Sequence, residues 1–135
     1  MATSFNQAIS SPNYVRFYNY NTDTIWLISP EFGDLDSNNR RISFYARSTS
    51  TFGTNNIIIG TVSSPGNRSS FAPFDTITMT TTTWNQYTVD VTTANGYNGV
   101  DKFIVLEHAA SSNFRTYYID DFVYEAIPSC NPPLT

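Results

Sequence analysis

The chain alternates apolar and polar residues in short runs, broken by turn-forming clusters about every 8–12 residues. Successive side chains on a strand point to opposite faces, so this rhythm gives a sheet one oily face. In "RRISFYARS" (40–48), Ile42, Phe44 and Ala46 share one face and Ser43, Tyr45 and Arg47 the other. In "WNQYTVDVT" (84–92), Tyr87, Val89 and Val91 fall together. The same reading predicts strands in "YVRFY" (14–18), "TIWLIS" (24–29), "NIIIGTV" (56–62), "DTITMT" (75–80), "KFIVLEH" (102–108) and "TYYIDDFVYEA" (116–126). Between them lie "EFGDLDSNN", "SSPGNRSS" and "ANGYNG", built from residues that favour turns. No segment carries a helical apolar stripe. Eight such strands predict an all-β chain folded as a two-sheet antiparallel β-sandwich, with a jelly roll as the expected connectivity.

Composition narrows the function classes. Ser, Thr and Asn make up about a third of the 135 residues, while charged residues are only 13%. Ten Phe, nine Tyr and two Trp suit a pleated sheet and rule against a disordered chain. With net charge −4 and a single lysine, Lys102, the chain lacks the clustered cations that nucleic-acid binding needs. No apolar run is long enough for a membrane-inserted helix. "MATSF" does not read as a signal peptide but as a start placed inside a longer precursor. Pro128, Pro132 and Pro133 mark 128–135 as a linker to a neighbouring module, leaving 1–127 as one domain. Cys130, the single cysteine, is either a free thiol or half of a bridge to a partner elsewhere.

Catalytic signatures are sparse. The one histidine, His108, ends an apolar strand and has no G-x-S-x-G motif to serve, which points to a structural or surface role. The spacings of a zinc site are missing as well. Glu107 and Glu125 are the carboxylates best placed for a glycosidase pair, against the simpler reading of solvated or ion-paired strand residues. The expectation is a protein that is not an enzyme.

Two features invite a binding role. Asp120 and Asp121 are adjacent in an aromatic strand, and strict alternation keeps them from both facing solvent, so that one is expected to be buried, at an edge or satisfied by a cation. That carboxylate is then either held by backbone N–H groups or bound to a cation, for which Ca²⁺ is the natural choice among oxygen ligands. The second feature is a set of planar and guanidinium groups expected at surfaces, strand ends and loops: Tyr45, Arg47, Arg115, Tyr117, Trp26 and Tyr97. Rings stack on sugar faces while Arg and Asn bond the hydroxyls. Trp84, Tyr87 and Phe122 are read as packing residues instead.

In order and spacing, "WLISPEF", "RRISFYARS", "IIIGTVSSPGNRSSF", "TITMTTTTWNQYTVDV" and "YYIDDFVYEAIPSC" resemble the jelly-roll domains of secreted multimodular Bacteroidetes proteins, similar to MAM-like and cleaved-adhesin domains. The resemblance spans about Tyr14 to Cys130 and implies a calcium-stabilised sandwich akin to carbohydrate-binding modules. It implies Asp120 as a structural calcium ligand, with Asp121 as the alternate. Related domains commonly begin with a strand bearing an acidic residue, and "MATSFNQAISSPN" has none. The function expected is a non-catalytic carbohydrate-binding module, secreted or at the cell surface, holding a parent enzyme or adhesin on a polysaccharide or cell-surface glycan. The alternative is an adhesion or spacer domain with a protein partner.

Overall fold

The computed structural model describes residues 14–19, 24–50, 55–108 and 115–128, with the side chains of Asn19 and Arg115 outside that description. Eight strands appear where the alternation places them: β1 (Val15–Asn19), β2 (Ile25–Ile28), β3 (Arg40–Ser48), β4 (Asn56–Val62), β5 (Ala72–Thr78), β6 (Asn85–Val91), β7 (Phe103–His108) and β8 (Arg115–Ala126). They form two four-stranded antiparallel sheets, β1-β8-β3-β6 and β2-β7-β4-β5. The chain crosses from one sheet to the other in the interleaved order of a jelly roll. Among the described residues there is no α-helix, only three single-turn 3₁₀ segments. None is long and apolar enough to cross a membrane. Cys130 and the tail beyond Pro128 lie outside the described residues.

The core lies between the inner faces. Ile42, Phe44 and Ala46 of β3 meet Ile57, Ile59, Ile104 and Leu106 of the opposite sheet, all essentially inaccessible. Here β-branched and aromatic side chains pack on a pleated surface, as their shapes favour. His108 belongs to this interior: its ring stacks on Tyr117 across the sandwich, with centroids 3.8 Å apart and planes 9° apart.

The two outer faces differ. Over the β4 sheet, the Phe71 ring lies so close to Gly60 that an added Cβ would come within 2.4 Å of Phe71 Cε1 and 2.8 Å of the Ala72 carbonyl oxygen. Phe71 also packs on Trp26, with centroids 4.8 Å apart. The Arg68 guanidinium sits 4.0 Å from the Trp26 ring centroid. The segment after β4 thus folds back as a cover. The outer face of the β3 sheet carries no comparable cover among the described residues.

One polar network anchors the loop before β3. The Tyr124 ring stacks face to face on Phe32 at 3.8 Å, and its hydroxyl donates to Asp34 Oδ1 at 2.5 Å. Arg40 closes the network through an ion pair to Asp34 at 2.8 Å. The Tyr124 bond, helped by Arg40, holds the Asp34 carboxyl below its usual range. Burial, reinforced by Asp34, pushes Tyr124 above the ordinary phenol value of 10.0.

A raised phenol stabilises the fold fully below the unfolded value and loses that contribution as pH climbs toward the folded value. The depressed carboxyl does the opposite: its contribution is present above 3.8 and fades as pH falls through the lower folded value. Tyr124→Phe keeps the stack but removes the proton. It should lower the melting temperature at neutral pH and reduce the loss of stability between about pH 9 and about pH 11. Thermal melts across that range check this, and an unchanged alkaline slope would exclude Tyr124 as its source.

Candidate functional site

Strand β8 sets the geometry of the exposed face. Its first half turns Tyr117 and Ile119 inward, and its second half turns Phe122 and Tyr124 toward the core. An odd set becomes an even set, which a regular strand cannot do. The change occurs at a β-bulge. Between the pairs Ser43↔Val123 and Tyr45↔Asp120, β3 spends one residue and β8 spends two. Asp121 occupies the left-handed region (φ 52°), where Asp is better tolerated than most residues. Its N–H donates to Asp120 Oδ1 at 2.8 Å.

The expectation of strict alternation through Asp120 and Asp121 is therefore corrected, and neither is driven into the core. Asp120 is half-buried and Asp121 exposed, at the mouth of a pocket of about 240 Å³ whose other walls are Tyr14, Val15, Leu27, Ile119 and Phe122. No group of three His, Cys, Asp or Glu residues gathers among the described residues. Ca²⁺ takes six to eight oxygens. Two carboxylates against apolar walls do not fit that requirement without donors from elsewhere in the chain.

The outer face of the β3 sheet can be read in rows from the strand register. One row is Asp120–Tyr45–Gln86, contributed by β8, β3 and β6. The next is Arg16–Tyr118–Arg47. Directly opposed residues on neighbouring strands lie about 5 Å apart and share a face. The Tyr45 ring is half-exposed between a carboxylate acceptor and a side-chain amide. Beside it, the Arg47 guanidinium lies 4.9 Å from the Tyr118 ring centroid. Tyr118 is held edge-on by Tyr14 at 5.0 Å, and Trp84 flanks it at 6.5 Å. Among the described residues, two N–H groups in this patch, Arg47 Nε and Trp84 Nε1, are buried without an acceptor.

Of the planar residues singled out in the sequence, Tyr45 and Arg47 stand together on this face. Two are corrected. Tyr117 is 2% exposed and stacked under His108, because residues flanking inward Ile119 at a spacing of two must also point inward. Tyr97 is 3% exposed and donates its hydroxyl to the Asp101 carbonyl at 2.5 Å. Burial and the nearby Asp36 and Asp101 push its phenol up to about 12. Trp26 lies on the opposite outer face, covered by Phe71 and Arg68, with Nε1 bonded to Glu107 Oε2 at 2.5 Å. Arg115 begins β8, but its side chain lies outside the described residues. Tyr87 and Phe122 pack against the core as expected, whereas Trp84 belongs to the outer patch.

Glu107 and Glu125 do not form a pair. Glu107 sits on β7 and Glu125 on β8, on the outsides of different sheets. Packed sheets are about 10 Å apart. Trp26 occupies one carboxylate, and Arg41 holds the other at 3.1 Å.

Tyr118 and Gln86 escaped the sequence reading, although the alternation that placed Tyr45 outward carries the signal for both. A separate cleft of about 520 Å³, lined by Asp75, Thr88, Asp90, Thr92, Ala94 and Asn95, left no mark in the sequence. Its walls come from the edge strands of both sheets.

Solved structures share this architecture. The K1 cleaved adhesin domain of Lys-gingipain from Porphyromonas gingivalis W83 superposes with a TM-score of 0.69 at 18% identity, over 91% of this chain and 82% of that one. The fold is shared with these adhesin domains. The K2 cleaved adhesin domain of Lys-gingipain gives 0.64 at 16% identity, over 85% of this chain and 73% of that one. A family 30 carbohydrate-binding module from the cellulosomal cellulase Cel9D-Cel44B of Clostridium thermocellum gives 0.58 at 14% identity, over 88% and 78%. No family model matches the sequence, and no curated protein matches it. The chain thus has the jelly-roll fold of adhesin domains and carbohydrate-binding modules, and at these identities the likeness shows the fold alone.

The bulge yields a stability test. Asp121→Gly should match the parent to within about 1 kcal/mol, because Gly accepts a positive φ freely. Asp121→Val should lose roughly 1–2 kcal/mol or more, as a β-branched residue resists that region. Urea unfolding of the two variants decides it: equal losses would mean the carboxylate matters and the backbone angle does not.

Proposed function

We propose that this protein is a non-catalytic carbohydrate-binding module that grips a polysaccharide or cell-surface glycan with the outer face of the β3 sheet. The observation carrying this reading is the row Asp120–Tyr45–Gln86, with Arg47 one row away. A half-exposed ring offers a flat apolar surface to the C–H face of a sugar, while carboxylate, amide and guanidinium groups meet its hydroxyls. All four side chains stand on paired strands, Asp120 beside the bulge, so the site is held in shape before any ligand arrives. The fold shared with carbohydrate-binding modules supports the same reading. A secreted or cell-surface location goes with it.

Tyr45→Ala should weaken binding about fivefold to tenfold, from roughly 1 kcal/mol of stacking plus lost contact area. Thr76→Ala, on the outer side of the β4 sheet, should leave binding unchanged. Affinity electrophoresis through gels of neutral and acidic polysaccharides gives the comparison. Equal retardation of the parent and Tyr45→Ala would move the site elsewhere. If no glycan retards the parent, adhesion to a protein partner takes the place of this reading.

Structural calcium at Asp120 and Asp121 is a further proposal, and it requires additional oxygen donors from outside the described residues. It predicts that added Ca²⁺ raises the melting temperature over EDTA-treated protein by mass action, and that Asp120→Asn abolishes the rise. Identical melting in Ca²⁺ and EDTA removes the ion.

A further inference from the structure

The cleft at the edge of the sandwich lies beside the proposed glycan face. Strands β5 and β6 are the edge strands of their respective sheets, and the turn Thr93–Asn95 follows β6. Asn95 Nδ2 donates to Asp75 Oδ2 at 3.0 Å and to the Asp90 carbonyl at 2.9 Å, tying the two edges together. Asp75 Oδ1 takes the Thr76 N–H at 2.8 Å. These bonds fix the cleft wall.

Other groups there have bonding capacity to spare. The hydroxyls of Thr88 and Thr92 and the carboxylate of Asp90 line about 520 Å³ of open space, and none makes a side-chain hydrogen bond or ion pair among the described residues. Thr88 and Asp90 alternate with inward Val89 and Val91, so they share the outward side of β6 with Gln86. Gln86 lies directly opposite Tyr45. The outward stripe from Gln86 through Thr88 and Asp90 to Thr92 is about 20 Å long at a rise of about 3.3 Å per residue. Ring platform and cleft form one continuous track.

Charge then selects the ligand. Asp120 stands at one end of the track, and Asp75 and Asp90 at the other. Arg41, the cation opposite Asp90 on β3, is held by Glu125 through both Nε and Nη2 at 3.1 Å. A uronate or sulfate entering the cleft would face Asp75 and Asp90 with no unpaired cation beside them among the described residues, and like-charge contacts of this kind exclude partners. Neutral sugar hydroxyls can instead donate to those carboxylates in charge-assisted bonds.

Resting on the carbohydrate-binding reading, we propose that the Asp75–Asp90–Asn95 cleft is a second subsite that makes the module a reader of linear, uncharged glycan chains longer than the Tyr45 platform alone can hold. The cleft supplies hydroxyl recognition and exclusion of acidic chains, and Tyr45 supplies stacking.

Calorimetry with a neutral β-glucan hexasaccharide and the disaccharide of the same polymer tests this. A polygalacturonate gel tests the charge rule. Asp90→Asn removes a charge that makes no internal bond, so its melting temperature should match the parent. It should weaken hexasaccharide binding about fivefold or more, spare the disaccharide, and increase retardation by polygalacturonate. Tyr45→Ala should weaken both oligosaccharides. If Asp90→Asn and Thr88→Val leave hexasaccharide binding intact while Tyr45→Ala weakens it, the cleft is not a subsite and the binding-module reading stands. A parent that prefers polygalacturonate overturns the charge rule. A parent that binds neither ligand overturns the cleft proposal, whereas the module reading falls only if no glycan retards the parent.

Discussion

The fold depends on one extra residue in β8. That strand pairs with β1 along its first half and with β3 along nearly its whole length, so it cannot be displaced without opening the sheet. Without the bulge, the side chains that make its first half apolar inward would force Phe122 and Tyr124 outward. Phe122 would then leave the core, and Tyr124 would lose both Phe32 and Asp34. Bulges cost a ladder bond and add twist, and they recur where a strand must re-aim its side chains. Here the left-handed backbone at Asp121 and the Asp120 carboxylate that caps its N–H meet that requirement locally.

The sequence made the strands and inner faces legible because their signal is local. Ile42, Phe44, Ala46, Tyr87, Val89 and Val91 all face inward, as simple alternation places them. Alternation fails at Asp120–Asp121, because nothing within ten residues states that β3 will offer one partner to two. Tyr117 escapes the pattern for a different reason. Its neighbour Ile119 carried the parity, but a tyrosine near the start of a strand also suits an exposed rim. Tyr97 shows the limit for loops, where the hydroxyl's partner is a carbonyl four residues on and no periodicity describes the bend. The edge cleft joins β5 and β6 through Asn95, a contact that exists only once both sheets are closed.

The asymmetry of the outer faces follows from the segment after β4. Gly60 admits the Phe71 ring against the sheet, and Phe71 with Arg68 then encloses Trp26. A large aromatic that composition alone would nominate for ligand contact is thereby committed to packing. On the other side, Tyr118 is also largely covered, by Tyr14, Trp84 and Arg47, yet its neighbour Tyr45 keeps a half-exposed ring. The free ring is thus set among side chains that are already immobilised, and little ordering entropy remains to be lost on binding.

The antiparallel pairing of β1 with β8 also has a mechanical consequence. Val15 lies opposite Ile119 and Asn19 opposite Arg115, so β1 covers only the first half of β8, with its start at mid-strand. Tension that draws the start of β1 sideways from β8 loads the β1–β8 ladder like a zipper, one hydrogen bond at a time. It does not shear all five residue pairs together. Each such bond contributes only about 0.5–1.5 kcal/mol net. Under pull, β1 should therefore peel away first, while β3 and β6, which carry Tyr45 and Gln86, keep their pairing.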